Sequence, residues 1–343
     1  MSKICIAIDA MGGDQGPNVT VPAALKALAE FPELHLILVG NQVTLVRALE
    51  ATKTTWDKSR LHIHHATQVV EMDESPALAL RGKRDSSMRV ALNLVQDGTA
   101  KACVSAGNTG ALMATARYVL KMLPAIDRPA ILFPIPSQVG VVYMLDLGAN
   151  VDCTAEHLFQ FAVMGSILVA SISNDVAPKV GLLNIGSEAI KGNEAVKQAA
   201  QLLEQKEDIN YIGYVEGDDI YKGVADVVVC DGFVGNVALK ASEGVAKLIL
   251  QIAREEFGRS WLSRLTALLC IPVLKRVYAR TDLNKYNGAS LLGLRGVVIK
   301  SHGGANTEAF TTAIRKAIKE AEMNVPEKIH AAVAAKLAET TVE

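Results

Sequence analysis

Residues 102–110 read Ala102-Cys103-Val104-Ser105-Ala106-Gly107-Asn108-Thr109-Gly110. A short apolar run ends in a turn of small polar residues, and the turn enters a helical pattern starting near Ala111. Unbroken apolar runs of this length fit strands covered on both faces, as in a mainly parallel sheet. The same succession recurs along the chain. Run 4–8 leads to Met11-Gly12-Gly13-Asp14, run 36–39 to Gly40-Asn41, and run 141–145 to Asp146-Leu147-Gly148. Run 180–183 leads to Asn184-Ile185-Gly186, run 227–229 to Cys230-Asp231-Gly232, and run 297–299 to Ser301-His302-Gly303-Gly304. Residues 194–205 and 309–323 carry helical spacing. The pattern predicts an α/β fold, a mainly parallel sheet flanked by helices. In open α/β sheets the ligand crevice lies beyond the carboxyl ends of the strands, so these turns are expected to converge on one site.

The chain has 343 residues, room for roughly two domains of about 150 each. Without a repeat or linker, residues 1–343 read as a single two-lobed unit. Half of the residues are hydrophobic and only 5% aromatic, so the core is expected to be aliphatic. A net charge of −1 argues against a nucleic-acid binder that relies on overall basicity. Cys5, Cys103, Cys153, Cys230 and Cys270 are scattered without a CxxC pair, which fits reduced thiols in a cytoplasmic protein. No secretory signal is visible, and no apolar run reaches the ~18–20 residues of a spanning helix. The chain is therefore expected to be soluble, yet able to lie on a membrane.

Neither a P-loop nor a GxGxxG fingerprint is present. The turn at 105–110 can cradle a small anion with Ser105, Gly107, Asn108 and Thr109, or can simply cap a helix. Lys191 precedes Gly192 and the helix beginning at Glu194, with Asn193 as its N-cap. It is either a point charge for phosphate or an oxyanion, or a solvated loop lysine. Asn236, in Asp231-Gly232-Phe233-Val234-Gly235-Asn236, can hydrogen-bond a carbonyl oxygen or cap the helix that follows. His302 can move a proton or be held in its turn. His62 and His64 share one face of a probable strand, but no partner stands at ligand spacing and no metal site is expected.

Residues 259–280 contain Arg259, Arg264, Lys275, Arg276 and Arg280 and no acidic residue. On a helical wheel Trp261, Leu262, Leu265, Leu268 and Leu269 share one face, with Ser263, Thr266 and Ala267 opposite. Pro272 is expected to break the helix, making a hairpin over 254–282. An apolar face rimmed by cations suits an anionic membrane surface, and also suits a dimer interface.

Taken in order, these motifs resemble the phosphate acyltransferase (PlsX) family of bacterial phospholipid synthesis. The residues that carry the resemblance are Asp9-Ala10-Met11-Gly12-Gly13-Asp14, Glu74-Ser75-Pro76, residues 81–88 and the 105–110 turn. They continue through Asp146-Leu147-Gly148-Ala149-Asn150, Asn184-Ile185-Gly186-Ser187-Glu188, Lys191-Gly192-Asn193-Glu194 and 231–236. Leu291-Leu292-Gly293 and His302-Gly303 complete the set. The chain departs from the family pattern at Asn287, where many members have glycine, and at Ser301, where many have alanine.

The resemblance implies an isocitrate-dehydrogenase-like and phosphotransacetylase-like fold with a protruding helical hairpin. It implies transfer of a fatty acyl group from acyl-[acyl carrier protein] to inorganic phosphate, with no cofactor. The product would pass to a membrane glycerol-3-phosphate acyltransferase. A homodimer, peripheral at the inner face of the cell membrane, is implied too. Lys191 and Asn236 match positions with catalytic roles, while Asp9, Gly12, Gly13 and His302 are further site candidates. Trp261, Leu265, Leu268 and Leu269 are the expected membrane contacts. Arg81, Lys83, Arg84 and Arg89 offer a basic surface for an acidic carrier. The alternatives are a phosphotransacetylase-like enzyme using acyl-CoA, a membrane scaffold without catalysis, and a metal- and NAD-dependent dehydrogenase.

Overall fold

A computed structural model describes residues 4–173, 177–281 and 283–340. The strands are β1 (Ile4–Asp9), β2 (Leu34–Gly40), β3 (Leu61–His65), β4 (Ala102–Ser105), β5 (Ala130–Pro136) and β6 (Val141–Leu145), then β7 (Val180–Leu183), β8 (Tyr211–Val215), β9 (Val227–Val229), β10 (Ala289–Leu292) and β11 (Val297–Lys300). They form one sheet in the order β3-β2-β1-β4-β11-β10-β5-β6-β9-β7-β8. The helices of the first half are α1 (Pro17–Glu30), α2 (Gln42–Ala51), α3 (Pro76–Gly82), α4 (Ser87–Gln96), α5 (Thr109–Leu120) and α6 (Ala155–Ser173). Those of the second half are α7 (Glu194–Glu204), α8 (Asp219–Lys222), α9 (Gly232–Gly258), α10 (Trp261–Thr281), α11 (Thr307–Glu322) and α12 (Val325–Thr340).

Strand β1 shows why the apolar runs are unbroken. Ile6 and Ile8 pack into the layer that holds α1 and α11, while Ala7 packs into the opposite layer with α4 and α5. Side chains alternate across a strand, so burial on both faces requires an apolar residue at every position. The core is aliphatic as expected, with Phe161 and Phe310 the only aromatics among its largest fully buried side chains.

Two parallel sets of strands are joined by a short antiparallel bridge. β1, β2, β3, β4 and β11 run in one direction. β10 is antiparallel to both β11 and β5, and β5 is antiparallel to β6. β9, β7 and β8 then run parallel to β6. With two reversals before β5 and a third after it, the second set runs opposite to the first. The carboxyl ends of the two lobes therefore lie at opposite edges of the sheet. This corrects the expectation that all the strand-end turns converge on one site within the chain.

Three further expectations change. Residues 155–173 form a helix long and apolar enough to cross a membrane, although half of that stretch is buried inside the fold. The hairpin is longer than 254–282, because its first arm is the whole of α9, starting at Gly232. Pro272 does not break the second arm, since α10 continues through it. Proline removes one helical hydrogen bond, and on an exposed helix the freed carbonyl can turn to water.

The hairpin is inside out. Gly232 and Gly235 are the only buried residues of α9. The half-buried positions along the outer part are small or isolated: Ala253 and Phe257 on α9, Ser263, Ala267 and Cys270 on α10. The large apolar side chains face outward, with Trp261 at 73% and Leu269 at 78% exposure, and Leu262, Leu265 and Leu268 also exposed. An uncovered apolar face of this extent marks an interaction surface.

Candidate active site

At the first edge, β1 and β4 lie side by side, and β1 leads away to β2 while β4 returns on its other side. This is a topological switch point, where α/β sheets place ligands. The structure brings Asp9, Gly12, Gly13, Ser105, Gly107 and His302 together here. Asp9 is buried, with its carboxylate accepting from Ser87 Oγ at 2.6 Å and from Ser105 Oγ at 2.6 Å. The Gly107 N–H donates in turn to Ser105 Oγ at 3.1 Å. Gly12 has no room for a side chain, since a Cβ there would stand 2.6 Å from Asp9 Oδ2 and 2.8 Å from Gly107 N. The turns enclose a small recess lined by Gly12, Gly13, Ala106 and Gly303.

Lys300, unnoticed in the sequence, closes this joint from below. Its ammonium donates to Ala106 O at 3.2 Å and to Ser301 O. Burial pushes its pKa down to about 8, against the charges of Asp9 and Asp14. Burial also pushes the Asp9 carboxyl up, against its hydrogen bonds from Ser105, Ser87 and Gly12 and the charge of Lys300. The available signal was a lysine closing the apolar run before Ser301-His302-Gly303.

Most polar side chains at this edge are committed to the protein itself. Asn108 caps α5 by accepting from Ala111 N at 3.0 Å, and its amide donates to Met72 O at 2.8 Å and Glu74 O at 3.0 Å. His302 is exposed, and its Nδ1 accepts from Gly304 N at 3.0 Å. The departures at Asn287 and Ser301 turn out to be partners. Asn287 Nδ2 donates to Ser301 Oγ at 2.8 Å, and Asn287 Oδ1 accepts from His302 N at 3.0 Å. Of the basic surface, Lys83 is held by Glu74 at 2.6 Å, and Arg89 donates to Leu80 O at 3.0 Å and lies over the Tyr118 ring.

Lys191 and Asn236 stand at the opposite edge, away from the 105–110 turn. Their turns follow β7 and β9, which are neighbours in the sheet, and the turn after β6 adjoins them. Lys191 is exposed, and its ammonium has no partner among the described residues. Its loop is fixed from behind, with Lys191 N donating to Glu188 O at 2.9 Å and Asn184 Nδ2 donating to Lys191 O at 3.2 Å. Asn193 caps α7 as expected, accepting from Val196 N at 2.9 Å. Asn236 is not the cap of α9. That role belongs to Asp231, which accepts from Val234 N at 2.8 Å and leaves Asn236 exposed on the second turn. An unpaired cation, a free amide and an uncovered apolar helix thus share one edge of the molecule.

A family described as fatty acid synthesis protein matches residues 4–328. The chain is 60% identical to a phosphate acyltransferase of Halorhodospira halophila over 97% of this chain and 96% of that protein. It is 59% identical to a phosphate acyltransferase of Nitrosococcus oceani over 96% of each. The chain belongs to the phosphate acyltransferase family. It is an acyl-transferring enzyme of fatty acid and lipid synthesis. Among solved structures, a phosphotransacetylase from Streptococcus pyogenes aligns with TM-score 0.62 at 17% identity, covering 94% of each chain. A phosphotransacetylase from Staphylococcus aureus aligns with TM-score 0.61 at 17% identity, over 94% of this chain and 95% of that one. Phosphate acyltransferase and phosphotransacetylase share this α/β fold.

Proposed function

We propose that the chain transfers a fatty acyl group from acyl-[acyl carrier protein] to inorganic phosphate, giving acyl phosphate for phospholipid synthesis. The observation that carries this reading is α9. Its second turn bears Asn236, and its exposed Val237, Ala241, Val245, Leu248 and Ile252 form one stripe along the same helix. Positions three or four apart share a helix face, so the stripe offers a fatty chain a continuous apolar surface, which starts one residue, about 100°, round the helix from Asn236.

A phosphate oxygen attacks the thioester carbon, forming a C–O bond while the carbonyl oxygen takes up charge. The Asn236 amide donates to that oxygen, and the Lys191 ammonium offsets the charge of phosphate and of the oxyanion. Collapse breaks the C–S bond, and the thiolate leaves with the electron pair and takes a proton from solvent. The phosphate dianion is abundant near neutrality, because phosphate esters lose their second proton near about pH 6, so no strong base is needed. The work of the site is to hold two anionic reactants in line. The 105–110 turn lies at the other edge, where the Thr109 and Gly110 N–H groups open α5.

The deciding experiment is phosphate-dependent release of free thiol from palmitoyl-carrier protein, with palmitoyl-CoA and acetyl-CoA alongside. Release that requires phosphate and prefers the carrier is expected. Preference for acyl-CoA would favour the phosphotransacetylase-like reading, which the fold likeness supports. Lys191→Ala and Asn236→Ala should each lower kcat about a hundred- to a thousandfold, the cost of one oxyanion donor. Near-wild-type turnover of both folded variants would remove the assignment.

The reading includes peripheral contact of the hairpin with an anionic membrane, through Trp261, Leu265, Leu268 and Leu269, where a membrane glycerol-3-phosphate acyltransferase takes the product. Leu268→Glu with Leu269→Glu should abolish flotation with anionic vesicles and leave turnover of soluble substrate within about twofold, as expected for an exposed apolar face. Equal loss of both would point to structural damage instead.

A further inference from the structure

We infer that Asp146 is a positioning residue for Asn236, acting through the turn it organises and the apex of that turn, Gly148. The inference rests on Asn236 being the donor to the thioester oxygen.

Asp146 directly follows β6 and is fully buried. One carboxylate oxygen accepts from Ile131 N at 2.9 Å and Ala149 N at 3.1 Å. The other accepts from Asn150 N at 2.7 Å and Asn150 Nδ2 at 2.9 Å. Asn150 Nδ2 also donates to Pro129 O at 2.7 Å, so the turn is clamped to the start of β5. Four donors on one carboxylate leave it no freedom to move.

The clamped turn is the seat of α9. Asn150 O accepts from the Gly232 N–H at 2.8 Å, at the first residue of the helix. A Cβ on Gly235 would fall 2.0 Å from Asp146 O, and one on Gly232 would fall 2.6 Å from Asn150 O. Both glycines are therefore required for the helix to sit this close. At the apex, Gly148 takes φ +110°, and a Cβ there would lie 3.6 Å from both Cβ and Cγ of Asn236 and 3.9 Å from its Nδ2. The side of the Asn236 amide thus faces the apex of a turn whose shape is set chiefly by Asp146. An amide aimed at a developing oxyanion needs fixed surroundings, because a donor free to rotate loses its alignment.

The test uses the full-length enzyme with palmitoyl-carrier protein and inorganic phosphate. Gly148→Ala forces an L side chain into a left-handed backbone, so the apex must adjust beside Asn236. Asp146→Asn places an amide N–H₂ against two backbone or side-chain donors whichever way it is turned. Each should lower kcat about ten- to a hundredfold, the scale of a small misplacement, while KM for both substrates stays within about twofold. The decisive comparison repeats Gly148→Ala in an Asn236→Ala background. A residue that acts through Asn236 should then have no further effect, whereas a merely structural role would lower kcat equally in both backgrounds. Equal losses, an effect on KM alone, or unchanged kcat in folded Gly148→Ala would overturn the inference. Should Asp146→Asn fail to fold, Gly148→Ala decides alone. Full turnover of Asn236→Ala itself would instead sink the reading on which the inference rests, and that arm is measured separately.

Discussion

The two edges of the sheet solve one problem in two ways. Each lobe has a buried aspartate at the end of a central strand, Asp9 as the last residue of β1 and Asp146 just after β6. Asp9 is satisfied largely by side chains from other elements, with Ser87 and Ser105 donating and Lys300 buried nearby. Asp146 is satisfied chiefly by backbone N–H groups, most of them in its own turn. The side-chain solution closes on itself, and the polar groups of the first edge are mostly turned inward. The backbone solution leaves the side chains around it free, and Lys191 and Asn236 stand exposed. A self-sufficient backbone turn can support open functional groups, whereas a side-chain network uses its own groups up. The first edge therefore reads as a joint and the second as a place for chemistry.

The strongest way to break this comparison is Asp9→Ala. Removing one member of a buried charged cluster leaves Lys300 with only Asp14 to offset its charge, and such losses run to about 3–5 kcal/mol. The urea midpoint should fall accordingly, while kcat of the folded fraction stays within a few-fold. A folded, stable Asp9→Ala enzyme with kcat down a hundredfold would place chemistry at the first edge and reverse the assignment.

A finer cut lies in the Asn287 and Ser301 pair beside the same joint. Both are buried, and each is the other's partner. Ser301→Ala or Asn287→Gly alone strands a buried polar group or leaves the His302 N–H unpaired, which costs about 1–3 kcal/mol. The double change to the common family pattern removes the Asn287–Ser301 contact from both sides. Its destabilisation should fall short of the sum of the single changes, as read from denaturant midpoints. Strict additivity would show that the two departures arose independently of their contact.

How much of this was legible follows from the same contrast. The seven apolar runs mark strands because burial on both faces forces every position to be apolar, and runs 180–183 and 227–229 coincide with β7 and β9. Strands β5, β8 and β10 escaped. β5 carries Pro134 and Pro136, β8 carries Gly213 at positive φ, and β10 opens on Ala289-Ser290, which breaks the apolar run. Two of those three, β5 and β10, build the antiparallel bridge that reverses the second lobe. Missing them made all the turns seem to meet. The residues of each edge were found from glycine, aspartate and asparagine after a strand, but which edge they occupy depends on strand direction, which no local pattern encodes. Lys300 and Asp146 went unassigned for a related reason, since their roles come from partners distant in sequence.

The smallest expected effect tests whether the first joint is reinforced from outside. Helices α1 and α11 both spring from its turns, and they are laced together at their surface. Arg315 holds Glu30 through two hydrogen bonds of 2.7 Å, and Glu308 pairs with Arg315 at 3.2 Å and with Lys26. The Arg315 hydrogen bond holds the Glu30 carboxyl below its ordinary range, and Lys26 and Arg315 do the same for Glu308. A carboxylate with a depressed folded pKa contributes stability that is present above its unfolded value, about 4.3 for glutamate, and is lost as pH falls through the folded value. Arg315→Ala should therefore lower stability by about 0.2–1 kcal/mol at pH 7, as for exposed pairs, with the difference shrinking in acid and in high salt. Turnover should not change at any pH where both proteins are folded. A penalty that grew in acid would have the wrong sign for these carboxylates, and the lacing would then have to act through packing of the Arg315 stem between the two helices.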